Sequence, residues 1–192
     1  GKRYYATITG HNFLAEFSDR GQWEIAWSPA VLDSLGEDRF RTNYLQLNSI
    51  AVAGDSPAEC FYTAFSDLTT GEKPWKSGYG PQGKGVVFSG QSREAIVRDL
   101  TCPHSAKLFG EDQLLLCNSG FGEVGVANTT GSSSFEPIAR LPGFTRGLAV
   151  TDDYIFVGLS RVIDKYEPYA PGITPADSKC GVWILERTTG NV

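Results

Sequence analysis

A chain of 192 residues, 41% hydrophobic, 12% aromatic and 20% charged, suits one compact domain and excludes a disordered or fibrous chain. A chain of this size buries about 70% of its unfolded surface, so it has a core without needing staples. Its 17 basic and 22 acidic residues leave a net charge of −5 with no clustered cationic run, which argues against nucleic acid, and no stretch approaches a membrane-spanning helix, so no membrane partner is expected.

Runs rich in β-branched and aromatic residues follow one another at 5–8, 50–52, 113–117, 124–127, 148–150, 154–157 and 182–185, each bounded by Gly, Asp, Asn or Pro. Only 28–35 has room for a short helix. The fold class is all-β and mostly antiparallel. Phe13, Phe17, Trp23 and Trp27 stand at strand spacing and read as core. The four cysteines, Cys60, Cys102, Cys117 and Cys180, have no CxxC spacing and lie beside apolar residues. They read as buried free thiols, which points to a reducing, cytoplasmic compartment. The Asn128-Thr129-Thr130 sequon matters only in a secreted chain. There is no methionine, so Gly1 is not a translation start; the reading is a processed end, an expression scar or the edge of a fragment.

The strands repeat. Thr145-Arg146-Gly147-Leu148-Ala149-Val150, an acidic turn at Asp152-Asp153 and a strand ending at Ser160 align with Pro103-His104-Ser105-Ala106-Lys107-Leu108, a turn at Glu111-Asp112 and a strand ending at Asn118-Ser119. A third copy, with a longer turn, starts at Leu47-Asn48-Ser49-Ile50-Ala51-Val52 and continues to Ser66. Third strands follow at 85–88, 122–126 and 181–184, and a fourth at 135–141. Units of about forty residues with four antiparallel strands are the signature of a β-propeller. The expected blades are 4–44, 45–101, 102–143 and 144–192, within a single domain. The phasing opens in a second strand and stops where a fourth should begin, giving about three and a half blades of an incomplete ring. Either the chain is a fragment or two chains complete one ring.

In such a meander the starts of the inner strands share a rim with the loops joining second and third strands. Asn48, His104 and Arg146 hold equivalent places there and form a candidate ligand-binding ring, with Ser119 and Ser160 at the ends of second strands. The alternative is that each polar residue caps its own loop. Two of the loops, 66–84 and 161–180, are long and carry Trp75, Tyr79, Tyr166 and Tyr169, which suggests ordered lids. Gly78-Tyr79-Gly80-Pro81-Gln82-Gly83 fits GxGxxG formally, but a strand follows it where a dinucleotide site needs a helix. There is no GxSxG nucleophile elbow. Glu123, Asp67 and Asn48 share the rim as candidate oxygen ligands for calcium or another divalent metal, although no metal is the primary expectation. Asp152-Asp153 and Glu111-Asp112 read as solvated turn residues at the opposite rim.

Cys102-Pro103-His104-Ser105, Asn118-Ser119-Gly120-Phe121-Gly122-Glu123, Leu141-Pro142-Gly143-Phe144-Thr145-Arg146-Gly147-Leu148, Val157-Gly158-Leu159-Ser160 and Cys180-Gly181-Val182-Trp183 resemble, as an ordered series, a bacterial family known as a conserved domain of unknown function. The resemblance runs clearly from about Leu45 to Val192. It implies propeller-like repeats, sometimes a neighbouring tetratricopeptide region, and a longer chain at both ends. The family has His-Leu-Asn-Gly where this chain has Gln46-Leu47-Asn48-Ser49, and tends to have Arg in place of Lys107.

The leading expectation is a non-enzymatic recognition propeller. Its ligand, a small polar molecule, a sugar or a peptide, would sit at the axial mouth. Arg146 would hold an anionic or carbonyl group, Asn48 and His104 would add hydrogen bonds, and Trp75 and Tyr166 would stack on the ligand. The alternative is a hydrolase or lyase-type enzyme on the same face, with His104 as general base and Glu123 or Asp67 orienting it or holding a divalent metal. A structural module docking another protein or a second copy is the third reading.

Overall fold

Neighbouring strands pair antiparallel into four sheets in the computed structural model, which describes residues 2–70, 73–76, 80–130 and 134–191. The first sheet holds β1 (Arg3–Ile8), β2 (Phe13–Ser18) and β3 (Trp23–Trp27). The second holds β4 (Ser49–Ala51), β5 (Phe61–Ala64), β6 (Gly85–Ser89) and β7 (Ala95–Leu100). The third holds β8 (Pro103–Leu108), β9 (Gln113–Asn118), β10 (Glu123–Asn128) and β11 (Phe135–Arg140). The last holds β12 (Phe144–Val150), β13 (Tyr154–Ser160) and β14 (Gly181–Glu186). Each sheet runs in sequence order from strand to adjacent strand, which is the up-and-down blade of a propeller.

Side-chain alternation explains how the blades stack. In β9, Leu114 and Leu116 join the core shared with Val87, Val97 and Leu100 of the second sheet. Leu115 and Cys117 point the other way, into the core shared with Ile155, Val157 and Leu185 of the fourth. A strand covered on both faces has no solvated side, so its sequence is a continuous apolar run rather than an alternating one. The first and second sheets meet through Trp27, which stacks on Tyr62 at 3.8 Å between ring centres and donates its indole N–H to the Gly90 carbonyl at 2.9 Å.

The first sheet takes its place through its corner. Ile8 and Asn118 precede short 3-10 turns with φ, ψ of −94°, 78° and −93°, 76°, and both turns end in a left-handed residue, Asn12 or Gly122. β1 and β2 are therefore the second and third strands of their blade, equivalent to β9 and β10. At Asn12 the left-handed position is held by a side chain: Oδ1 accepts from the N–H groups of Tyr44 and Leu45, both at 2.9 Å, and Nδ2 donates to Thr42 O at 2.6 Å.

Several sequence expectations change in detail. The segment 28–35 holds no α-helix; 3-10 geometry runs through Ala30–Phe40, broken at Gly36, where φ is 56°. Phe13 and Trp27 are buried, but Phe17 is half-buried and Trp23 is exposed, its ring stacked on Phe13 at 6.0 Å. Trp23, Phe17 and Tyr4 share a row on the face of the first sheet turned away from the second, so strand spacing alone did not decide burial. Cys60, Cys102 and Cys117 are buried free thiols, whereas Cys180 is exposed, its Sγ accepting the Arg161 N–H at 3.2 Å. Of the GxGxxG segment, Gly78 and Tyr79 lie outside the described residues, and the segment leads into β6. Among the described residues, no helix is long and apolar enough to cross a membrane.

Candidate functional site

The inner strands β4, β8 and β12 come together through side-chain hydroxyls. Ser105 donates its backbone N–H to Ser49 Oγ at 3.0 Å and its hydroxyl to the Arg146 carbonyl; Ser119 donates to the Thr145 carbonyl. The backbone is locally bent for this: Gln46, Cys102 and Ser105 have φ of 54°, 51° and 57°, the left-handed region that costs non-glycine residues energy. The pairing of β8 with β9 shifts after His104, and that of β12 with β13 shifts around Arg146. Such bulges re-aim side chains, and here they sit at the two strand residues on which the site turns.

Asn48, His104 and Arg146 all line one axial cavity of about 930 Å³. Asn48 is engaged by its own fold. Ser49 donates to Thr63, Thr63 donates to Asn48 Oδ1 at 2.7 Å, and Asn48 Nδ2 donates to the carbonyls of Gln46 and Pro103, both at 3.1 Å. His104 is buried, with Phe65 edge-on at 5.3 Å and Phe144 at 6.2 Å. Its Nε2 lies 2.9 Å from Arg146 Nη1. A guanidinium has no acceptor, so Nε2 accepts and the ring proton sits on Nδ1. Burial first, and the Arg146 charge second, push the His104 pKa down to about 3, so the imidazole is neutral at physiological pH. Arg146 is exposed to the cavity and lies 5.7 Å from the Phe144 ring centre; among the described residues no carboxylate pairs with it.

The rest of the lining comes largely from the two long loops. Trp75, in the turn Pro74–Lys76, is 5% exposed and packs edge-on to Phe65 at 5.7 Å and beside Tyr169 at 5.9 Å. Its indole N–H is buried and has no hydrogen-bond partner among the described residues. Tyr166, in the turn Asp164–Tyr169, is exposed and 6.2 Å from Tyr169. This loop is tied down: Gly172 N–H donates to Gly120 O at 3.0 Å, Lys179 N–H to Pro142 O at 2.7 Å, and Arg140 donates to the carbonyls of Phe121 and Gly172. At Gly120 a Cβ would meet Thr101 Cγ2 at 2.3 Å and Tyr169 O at 2.9 Å, so glycine lets the loop approach this closely.

Ser160, Trp75 and Tyr166 also line the cavity, whereas Ser119 and Glu123 do not. Ser119 is fully buried and is used up on the Thr145 carbonyl. Glu123 accepts from Asn118 Nδ2 at 2.7 Å, and its carbonyl accepts from Thr145 at 3.1 Å. Asp67 is paired with Arg98. The candidate calcium ligands Glu123, Asp67 and Asn48 are thus held by three different sets of partners. Among the described residues, no group of three or more His, Cys, Asp or Glu is gathered as a metal site. Tyr79 lies outside the described residues.

A family model described as a domain of unknown function, DUF4915, matches residues 2–192. The chain belongs to this family. No curated protein matches it. The DUF4915 chain is similar to the solved structure of a protein provisionally assigned as a gluconolactonase, with 18% identity and a TM-score of 0.55 over 98% of this chain and 62% of that one. It also matches the calcium-binding protein regucalcin from Agrobacterium tumefaciens, with 13% identity and a TM-score of 0.42 over 86% of this chain and 50% of that one. The chain therefore spans less than two thirds of either structure, and the first likeness shows the propeller fold.

Within the DUF4915 chain, Gln46, which replaces the histidine expected from the family resemblance, lines the cavity and accepts from Asn43 Nδ2 at 2.6 Å. Lys107 is exposed and does not line the cavity. Sequence reasoning missed Lys76 and Arg161, which line the cavity beside Trp75 and Ser160. Their signal was adjacency to residues already singled out, in loops whose path the sequence does not specify.

Proposed function

We propose that the axial cavity of this propeller is a recognition site for a small polar ligand, anchored by Arg146. The observation that carries the reading is a guanidinium exposed in a 930 Å³ cavity with one N–H committed to His104 and no carboxylate partner among the described residues. Its remaining donors form a fork suited to a carboxylate, phosphoryl or carbonyl group. Phe144, Phe65, Trp75 and Tyr166 offer an apolar wall for the carbon body of a sugar or peptide.

The enzyme reading with His104 as general base has less support. The Nε2 lone pair accepts from Arg146, and a group pushed down to about pKa 3 is a weak base at neutral pH. The activity assigned to the gluconolactonase-like neighbour is that protein's own, and the likeness supports a shared fold.

The test is a thermal-shift screen of small polar molecules, sugars and short peptides against the wild-type chain and Arg146→Ala. The reading expects hits that raise the wild-type midpoint and lose the effect in Arg146→Ala, whose own midpoint stays close to wild type. Hits that stabilise both proteins equally would remove Arg146 from the site.

A further inference from the structure

The charge of the cavity is opposite to that of the molecule. The chain carries a net charge of −5, yet Lys76, Arg146 and Arg161 all line the cavity, and among the described residues no carboxylate does. Asp164 and Glu167 belong to the same loop as Arg161, but they are exposed and outside the lining. His104 adds no negative charge and cannot relieve the repulsion among the cations, because it is neutral. A cluster of like charges in a concave, partly apolar site is unfavourable unless an anion fills it, and it concentrates anions from solution. The hydroxyls of Thr9 and Ser160 stand on the same lining and suit the oxygens of such a group.

A second observation concerns the aromatic part of the lining. The Trp75 indole N–H is buried and has no partner among the described residues, although nearly all buried polar groups in folded proteins have one. The ring belongs to the cavity wall with Tyr166 and Tyr169, and Lys76 Nζ lies 5.3 Å from its centre. A ligand body lying against this aromatic wall would place its anionic end within the same cavity as Arg146.

Resting on the recognition reading above, we infer that the ligand class is a multiply charged organic oxyanion, a phosphate ester above all, whose carbon body lies against the aromatic wall. Three cations favour a dianion over a neutral sugar, and the aromatic lining favours an organic ester over inorganic phosphate.

The experiment is calorimetric titration at low and moderate salt with four probes: phenyl phosphate, inorganic phosphate, benzoate and phenyl β-glucoside. Phenyl phosphate should bind tightest. Neutralising Lys76→Gln or Arg161→Gln should weaken it roughly tenfold each, the loss of one charge-assisted contact. Arg161→Lys should restore most of the affinity, which separates charge from folding damage. Added salt should weaken phenyl phosphate more than phenyl glucoside. If phenyl glucoside binds as well as phenyl phosphate and depends on Arg146 alone, the anionic class is wrong and the recognition site stands. If benzoate matches phenyl phosphate, the preference for a dianion is wrong. If no probe binds, both the class and the recognition reading fall.

Discussion

The two walls of the axial cavity use their polar groups in different ways. On the strand wall, Asn48 gives both amide hydrogens to backbone carbonyls and accepts from Thr63, while His104 accepts from Arg146 and is held between Phe65 and Phe144. On the loop wall, Lys76 and Arg161 line the cavity and Tyr166 is exposed, and among the described residues no carboxylate shares that lining and the Trp75 indole N–H has no partner. Arg146 belongs to the strand wall by position and to the loop wall by behaviour, since most of its donors remain open. Equivalent positions in a repeat therefore do not imply equivalent roles: the strand starts at Asn48 and His104 hold the axis together, and the proposed binding site rests on Arg146 and the loops.

That contrast can be broken most directly at Asn48. Asn48→Ala strips hydrogen bonds from the Gln46 and Pro103 carbonyls and from Thr63, and should cost about 1–3 kcal/mol of stability in denaturant unfolding. An unchanged midpoint would return Asn48 to the role of a ligand contact. His104 gives a comparable effect that depends on pH. Its folded pKa lies below its unfolded value of 6.5, so the unfolded state takes up the proton first. The stabilisation is complete above pH 6.5 and is lost as pH falls toward 3. Between pH 7 and 5 the chain should lose about 2 kcal/mol through this group, and His104→Asn should flatten that part of the profile. A wild-type profile no steeper than the variant's would contradict the buried neutral imidazole. The smallest stability effect is expected at Tyr166→Ala, within about 0.5 kcal/mol because the side chain is exposed, with several-fold weaker binding of a ring-bearing ligand. Loss of stability there would mean that the loop wall is structural as well.

The blade pattern was legible because it rests on short apolar runs bounded by turn residues and repeated along the chain, and both signals act locally. The corner at Asn118 to Glu123 shows where that legibility ended. A polar residue at the end of a second strand resembles a pore-lining group, yet Ser119 satisfies the Thr145 carbonyl, Asn118 accepts from the Thr101 N–H and donates to Glu123, and Gly120 admits the loop. The motif is a fastening between blades. The matching corner at Thr9 to Asn12 escaped notice because Asn12 performs with a side chain what Gly122 performs with a bare backbone. Lys76 and Arg161 were missed for a different reason. The direction of a loop side chain follows from long-range ties such as Gly172 to Gly120 and Lys179 to Pro142, and no local periodicity encodes them. Trp23 marks the same limit for burial, since strand spacing places it on a face without saying what covers that face.

The central claim, that the axial cavity receives a ligand between Arg146 and the loop wall, is tested most directly by the indole N–H resonance of Trp75 in a 15N-labelled chain, assigned through Trp75→Phe. Titration with phenyl phosphate should shift that signal in the wild-type chain and leave it in place in Arg146→Ala. A Trp75 signal that stays fixed while phenyl phosphate saturates the wild-type chain, or that shifts equally in Arg146→Ala, would contradict the account.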